Sequence, residues 1–282
     1  MLIGMLAALA AATSVLVCVG AEAFLSMQWL WLLPVGFVGG FLAWTALAFL
    51  FVLVLCAFVD PDKQYENDSK LYRTVVYLIV GAVLTVARIR VETKGLEKTP
   101  KDGRFLLVCN HLHDGDPVVL LHYFKKSQLA FVGKQEVKDM FVVGKLMPKF
   151  LCPFINREND REALKTILRC IQLLKDDKVS VAIFPEGYIH KDRKFYPFRP
   201  GVFKIAQKAN VPIVVCTLKN TQNMVKNFLK FKPTDVQLHL LDVIPAESLQ
   251  GRTTVDISNE IHEMMAKDLG PEYMPEQQED NT

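Results

Sequence analysis

Charge is almost missing from the start of this chain: between Met1 and Val59 the one charged side chain is Glu22. That scarcity excludes an ordinary soluble surface, because so many apolar positions cannot all be hidden inside the rest of a 282-residue protein. The stretch is long enough for two membrane passes of about 20 residues each. Glu22 and Gln28 mark the break and give segments at 2–21 and 29–58. No Lys or Arg precedes the first run and a second long run follows, which argues against a secretory signal peptide. Trp29, Trp31 and Trp44 suit a membrane interface. The loop between the segments has no positive charge, whereas Lys63, Lys70, Arg73, Arg88 and Arg90 follow the second run. This asymmetry places residue 60 onward on the cytoplasmic side. Residues 71–87, apolar except at Tyr72, Arg73, Thr74, Tyr77 and Thr85, fit an interfacial helix better than a third span.

A strong net charge is also lacking. The chain has 33 basic and 30 acidic side chains, and removing Glu22 from the count leaves the polar part only mildly basic. That excess suits an anionic membrane surface or a phosphorylated ligand but not a nucleic-acid footprint. The six cysteines show no CxxC spacing and sit in apolar surroundings, so neither a disulfide framework nor a zinc site is expected. A reducing, cytosol-facing domain follows. No internal repeat is present.

After residue 88 the periodicity changes. Residues 88–93 alternate as a half-buried strand does, and short β-branched apolar runs recur at 105–109, 129–132, 179–184, 211–217 and 236–243. Helical patterns lie between them. The clearest, 159–178, carries Leu164, Ile167, Leu168, Ile171 and Leu174 at helical spacing, with Asn159 and Glu162 placed as a capping box. Shorter helices are expected from Asp116 through Phe124 and, after the Pro200-Gly201 turn, over 203–209. Alternating strands and helices predict an α/β domain with a mixed, mostly parallel sheet flanked by helices. The expected division is a membrane-embedded pair of helices at 1–59, an interfacial connector at 60–90, the α/β domain at 91–269 and a flexible acidic tail at 270–282.

Two loops carry the chemistry. Asn110 to Asp116 reads NHLHDGD after one strand, and Phe184 to Gly187 reads FPEG after another. Loops leaving two strands, one with a base and the other with an acid, are the parts of an active site built at a sheet edge. In a loop that turns into a helix, Asp116 can fold back to accept from one nitrogen of His111. The other nitrogen is then poised to take a proton from a hydroxyl. This is the base and orienter of a Ser-His-Asp triad without the serine, so the attacking hydroxyl belongs to the substrate. Taken singly these residues have plainer uses: Asp116 before Pro117 is an ordinary helix start, and Gly187 an ordinary turn.

Together they resemble the 1-acylglycerol-3-phosphate (lysophospholipid) acyltransferase family. NHLHDGD matches the family's NHxxxxD block and FPEG its FPEGT-type block. Between them Gly133-Lys134-Gln135-Glu136 resembles the K-x-E segment, and Pro153 to Arg157 (PFINR) the F-I-x-R segment. Pro197-Phe198 with Gly201 and Phe203 matches PFxxGxF, and Val211-Pro212-Ile213-Val214 the final VPIVP-like block. The resemblance runs in order over about 91–243. It implies that His111 is the general base and Asp116 its orienter, that Arg157, Glu186, Gly187 and Lys134 bind substrate, and that Arg157 is the natural partner for a phosphate. The donor would be acyl-CoA or acyl carrier protein and the acceptor a membrane lyso-lipid, by default 1-acylglycerol-3-phosphate, with no metal or redox cofactor.

The chain departs from the family where Tyr188-Ile189 stands in place of Thr-Arg after FPEG, and where Val215 replaces the last proline. The first change removes a phosphate-binding arginine and leaves the acceptor head group open, with Arg193, Lys191 or Lys194 as stand-ins. Acyl-chain length would follow the depth of an apolar tunnel, with 129–132 and 141–154 as candidate lining. Three alternatives stand beside this reading. One is an acyltransferase for another lyso-lipid. The second is a metal-dependent hydrolase using His111, His113, Asp114 and Asp116. The third is a non-catalytic lipid-binding membrane protein.

Overall fold

A computed structural model describes residues 1–275. It begins with a helical hairpin, α1 (Leu2–Gly20) and α2 (Trp29–Ala57), whose bounds lie within a residue of those expected. Both helices are long and apolar enough to cross a membrane, and most of their surface is not buried in the protein. They pack closely because small residues face each other. A methyl group placed on Gly40 would lie 3.3 Å from the Ala10 Cα, and one on Gly36 2.9 Å from the Ser14 hydroxyl. The few polar groups are paired across the hairpin: Ser14 Oγ donates to the Leu33 carbonyl (2.6 Å) and Trp44 Nε1 to Thr13 Oγ1 (3.1 Å).

Helix α3 (Lys70–Val86) is amphipathic. Tyr72, Val75, Val76, Val80 and Leu84 are buried, joining the core of the following domain, while Leu71, Val83 and Val86 face outward. It is therefore a layer of the domain rather than a bare connector. Arg73, expected among the cytoplasm-facing charges, is instead buried. It bonds Asp68 (2.7 Å), the Leu129 carbonyl (3.0 Å) and the Phe150 carbonyl (3.3 Å). A guanidinium can be buried when its donors are satisfied in this way.

The domain proper contains β1 (Ile89–Lys94), β2 (Leu106–Cys109), α4 (Asp116–Tyr123), β3 (Leu129–Phe131), β4 (Gly133–Lys134), α5 (Val143–Leu146) and β5 (Phe154–Ile155). These are followed by α6 (Asp160–Lys175), β6 (Ser180–Ile183), α7 (Lys204–Ala209), β7 (Ile213–Lys219), α8 (Met224–Leu229), β8 (Thr234–Ile244) and α9 (Thr254–Leu269). Six strands form one sheet in the order β1-β8-β7-β2-β6-β3, parallel throughout except for the antiparallel β7–β8 pair, and β4 pairs with β5 apart from it. The mixed, mostly parallel α/β architecture is as expected from sequence. β2 and β6 are buried on both faces, as strands covered by helices must be. Leu107 and Cys109 point into one core with α3 and α4. Leu106 and Val108 point into the other with α7 and α9.

Asn159 caps α6, accepting from the amides of Arg161 (3.1 Å) and Glu162 (3.2 Å). The Glu162 carboxylate bonds Asn156 rather than returning to the cap, so the capping box is only half formed. The chain beyond α9 also differs from the expected tail. Residues Pro271–Tyr273 form a turn, Tyr273 is buried, its carbonyl accepts from the Phe195 amide (2.7 Å) and its hydroxyl from the Asn220 amide (3.0 Å). The sheet thus begins at Ile89, before residue 91, α3 packs into the same core, and the described chain packs on the domain as far as Tyr273. The rest of the expected tail, 276–282, lies outside the described residues.

Candidate active site

β2 and β6 are neighbours in register, Val108 beside Ile183, so NHLHDGD and FPEG leave the carboxyl ends of adjacent parallel strands. The site is thus at the end of the central strands and not along a sheet edge, the usual position for ligands in an open α/β fold. Asn110 fixes the start of the first loop. Its buried amide donates to the Leu218 carbonyl and accepts from the Leu218 amide, both at 2.8 Å, which adds a side-chain rung to β7.

Asp116 is fully buried at the first turn of α4, and its side chain turns back into the loop instead of capping the helix. Its Oδ2 accepts from His111 Nδ1 (2.8 Å), the Leu112 amide (2.7 Å) and the His113 amide (2.9 Å). Two of these donors are backbone amides, which leaves the oxygen as an acceptor and fits a ring proton on Nδ1. The His111 ring stacks on Phe184, with centroids 4.0 Å apart and planes 12° from parallel. Its Nε2 has no protein partner among the described residues, and the side chain keeps 15% exposure. Arg193 closes the loop from above by donating to the Leu112 carbonyl (2.8 Å).

The structure joins the two loops through Glu186. One carboxylate oxygen accepts from the His111 amide (2.8 Å) and the other from the Tyr196 amide (3.1 Å). The side chain is 2% exposed. Burial pushes its pKa up to about 7, against the lowering effect of the two N–H donors. Both oxygens are thus occupied by backbone amides, which places Glu186 as a brace between loops rather than as the substrate contact expected from sequence.

Gly187 has φ +89°, a left-handed conformation that glycine adopts without strain. The side chain of Arg199 fills the space beside it. A Cβ on Gly187 would lie 2.9 Å from Arg199 Nε, and the Arg199 amide donates to the Pro185 carbonyl (2.9 Å). Arg157 follows β5 nearby. Burial and the Arg199 charge lower its pKa, opposed by Glu136. Lys134 pairs with Glu136 at 3.0 Å on the same rim. Among the described residues neither Arg157 nor Arg199 has an acidic partner in an ion pair, and the two charges are near enough to act on each other, with Glu136 opposing.

Of the residues expected to bind substrate, Arg157, Lys134 and Gly187 therefore meet at one rim, and Glu186 does not face it. Two of the three anticipated stand-ins for the missing arginine are otherwise engaged, Arg193 on Leu112 and Lys194 Nζ on the Glu272 carbonyl (2.7 Å), whereas Lys191 is exposed. Arg199 occupies an unspecified position of the PFxxG block, which is why the sequence motif does not single it out. No cysteine supplies a nucleophile in the loop, since burial, then the neighbouring Cys216, raises the Cys109 thiol well above its usual range. His113 Nδ1 accepts from the Gly115 amide (3.0 Å), and among the described residues no three His, Cys, Asp or Glu side chains converge as a metal-ligand set.

The other face of the first loop borders an apolar cavity of about 500 Å³ between α3 and α8, reaching Leu2 of α1. Residues 129–132 and 141–154, the expected lining of an acyl tunnel, do not border it; β3 lies wholly in the core and Phe141 is 71% exposed.

Comparison with known proteins agrees with this geometry. The Acyltransferase family pattern matches residues 90–219. A probable 1-acyl-sn-glycerol-3-phosphate acyltransferase from Mycoplasma genitalium is 30% identical over 196 residues, covering 66% of this chain and 72% of that protein. The 1-acyl-sn-glycerol-3-phosphate acyltransferase of Haemophilus influenzae is 25% identical over 204 residues, with 72% and 83% covered. The crystal structure of the 1-acyl-sn-glycerophosphate (LPA) acyltransferase PlsC from Thermotoga maritima superposes with a TM-score of 0.57 over 77% of this chain and 85% of that one; at 20% identity it speaks for the fold. A sheet whose adjacent strand ends carry NHxxxxD and FPEG, and relatives that share most of its length, place this chain in the acyltransferase family that contains the 1-acyl-sn-glycerol-3-phosphate acyltransferases.

Proposed function

We propose that the protein is a membrane-bound enzyme that moves an acyl chain from acyl-CoA or acyl carrier protein to the free hydroxyl of 1-acylglycerol-3-phosphate, giving phosphatidic acid. The observation that carries this is the His111–Asp116 dyad: Nδ1 is held at 2.8 Å by a buried carboxylate, while Nε2 has no hydrogen-bond partner, hydroxyl or thiol included, among the described residues. Nε2 takes the proton of the acceptor hydroxyl as its oxygen attacks the thioester carbonyl. The tetrahedral adduct collapses with cleavage of the C–S bond, and the imidazolium returns its proton to the departing thiolate. Asp116 stays ionised and stabilises the imidazolium. Such base assistance contributes about 10²–10⁴-fold.

Arg157 and Arg199 would receive the acceptor phosphate, with Lys134 at the rim. Planar guanidinium groups without acidic partners suit bidentate phosphate binding. This assigns to Arg199 the role for which Tyr188-Ile189 leaves no arginine. The relatives named for the same acceptor support the choice. The two apolar helices would seat the domain on the cytoplasmic face of a membrane, with the acceptor drawn from the lipid phase.

Thiol release from acyl-CoA, in membranes containing the full chain, tests the reaction. With 1-acylglycerol-3-phosphate present it should be at least about 100-fold faster than for His111→Ala. Equal rates would refute the base. An acceptor lacking phosphate that performed as well as 1-acylglycerol-3-phosphate would refute the arginine site while leaving the base intact.

A further inference from the structure

α8 and the turn after it form an apolar surface that nothing in the domain covers. Val225 is 53% exposed, Phe228 46%, Leu229 71% and Phe231 81%. Phe231 also adopts a left-handed backbone (φ +54°), an uncommon and strained conformation for a bulky residue. Its carbonyl is pinned there by Arg88 Nη1 at 2.8 Å, so the ring is held outward rather than left to fold back. Water provides no reason to present an aromatic ring in this way.

Three further observations identify what covers it. Lysines alternate with these apolar side chains: Lys226, Lys230 and Lys232 are exposed, none has an ion-pair partner among the described residues, and no acidic residue occurs between Asn220 and Pro233. Second, the patch is continuous with the outward face of α3 through Val83 and Val86, which share a cavity with Val225, Phe228 and Leu2 of α1. The apolar band therefore runs without a break from α8 to the membrane hairpin. Third, α3, which lies along that band, joins the hairpin to the domain: Tyr72 donates to the Leu55 carbonyl of α2 at 3.0 Å. Apolar side chains with interleaved lysines, bordering the same cavity as a membrane anchor, match a bilayer surface, where the rings enter the acyl region and the ammonium groups reach back to lipid phosphates.

We propose that α8 and the turn at Phe231 are a second membrane-contact element, dipping into an anionic leaflet beside the hairpin. It would seat the domain on two separated footings and hold the loop of His113 and Gly115, at the inner end of the α3–α8 cavity, at the lipid surface. This holds whichever lyso-lipid is the acceptor.

The test uses the full chain reconstituted in phosphatidylcholine vesicles with and without phosphatidylglycerol. Leu229→Cys carries an environment-sensitive fluorophore, the native cysteines all being buried, and Asn259→Cys on α9 is the control. The probe at 229 is expected to shift to the blue and to be quenched by spin-labelled acyl chains, and the probe at 259 to do neither. Each lysine near an anionic surface favours lipid contact by about fivefold. Phosphatidylglycerol should therefore deepen the quenching at 229, and Lys226, Lys230 and Lys232 changed together to Gln should abolish that gain. A probe at 229 as open to aqueous iodide as the one at 259 would overturn the proposal and leave the patch to a protein partner. Quenching that ignores phosphatidylglycerol would overturn the anionic preference.

Discussion

Arg199 lies against Gly187, so near that a single methyl group on the glycine would come within 2.9 Å of its Nε. The left-handed turn of FPEG thus also shapes the seat of a guanidinium. Gly187→Ala should cost about 1–2 kcal/mol of stability from the positive φ alone. The obstructing atoms belong to a flexible side chain and can move, so the larger effect should be catalytic. KM for a phosphate-bearing acceptor should rise as Arg199 is displaced, which steady-state kinetics beside a melting curve would separate.

Replacing Arg199 directly gives a cleaner effect. A hydrogen bond to a charged group contributes about 1.5–3 kcal/mol, so Arg199→Ala should raise KM for 1-acylglycerol-3-phosphate about 10- to 100-fold with a smaller change in kcat. Arg199→Lys should recover part of this, since it keeps the charge but loses the planar fork. Combined with Arg157→Ala the losses should be less than additive if both groups serve one phosphate, as proposed.

Asp116→Asn tests the dyad without removing the imidazole. An amide can donate to Nδ1, which moves the ring proton to Nε2 and removes the base. The kcat should fall by about 10²–10⁴-fold, as far as in His111→Ala. Asp116 also accepts from the Leu112 and His113 amides, so the variant should melt earlier than His111→Ala although both are inactive.

Glu186 predicts a pH dependence of stability. Its pKa in the folded protein, about 7, lies above the ordinary carboxylate value, so the folded state holds this proton more tightly than the unfolded chain. The favourable contribution is complete below about pH 4.3 and is lost as pH rises towards about 7, beyond which it stays constant. The amplitude is at most about 4 kcal/mol, since each pKa unit corresponds to about 1.4 kcal/mol. Glu186→Gln should flatten this segment of the curve. Thermal melts of both proteins between pH 4.5 and 8 would show a parallel pair if the expectation is wrong.

Much of the fold is legible along the chain because its strands are buried and its helices patterned. The hairpin ends within a residue of where the charged and polar residues break the apolar runs. β2 and β6 stand out as short β-branched runs because both faces are covered. α9 also carries a signal, Thr253 as its cap and Ile257, Ile261, Met265 and Leu269 along one face, but it falls after the motifs that organise the reading. Within the site, His111 and Asp116 are close in sequence, so their geometry follows from local turn chemistry. The role of Glu186 and the position of Arg199 depend on which amides and which glycine approach from other strands, and no spacing records that. The resemblance assigned Glu186 to the substrate, whereas both its carboxylate oxygens accept from backbone amides.

That tie has a consequence for selectivity. One carboxylate grips the amide of His111 and the amide of Tyr196, so the loop with the base and the loop under the arginines move as a single piece. The separation between Nε2 and the Arg199 guanidinium would then be held by this tie and by the register of β2 beside β6. If the proposed acceptor is held by its phosphate at Arg199, it would offer His111 only the hydroxyl that lies that far along its glycerol. Which position is acylated would thus be a matter of measurement by a rigid gauge, and loosening Glu186 should blur the regiochemistry before it abolishes the reaction.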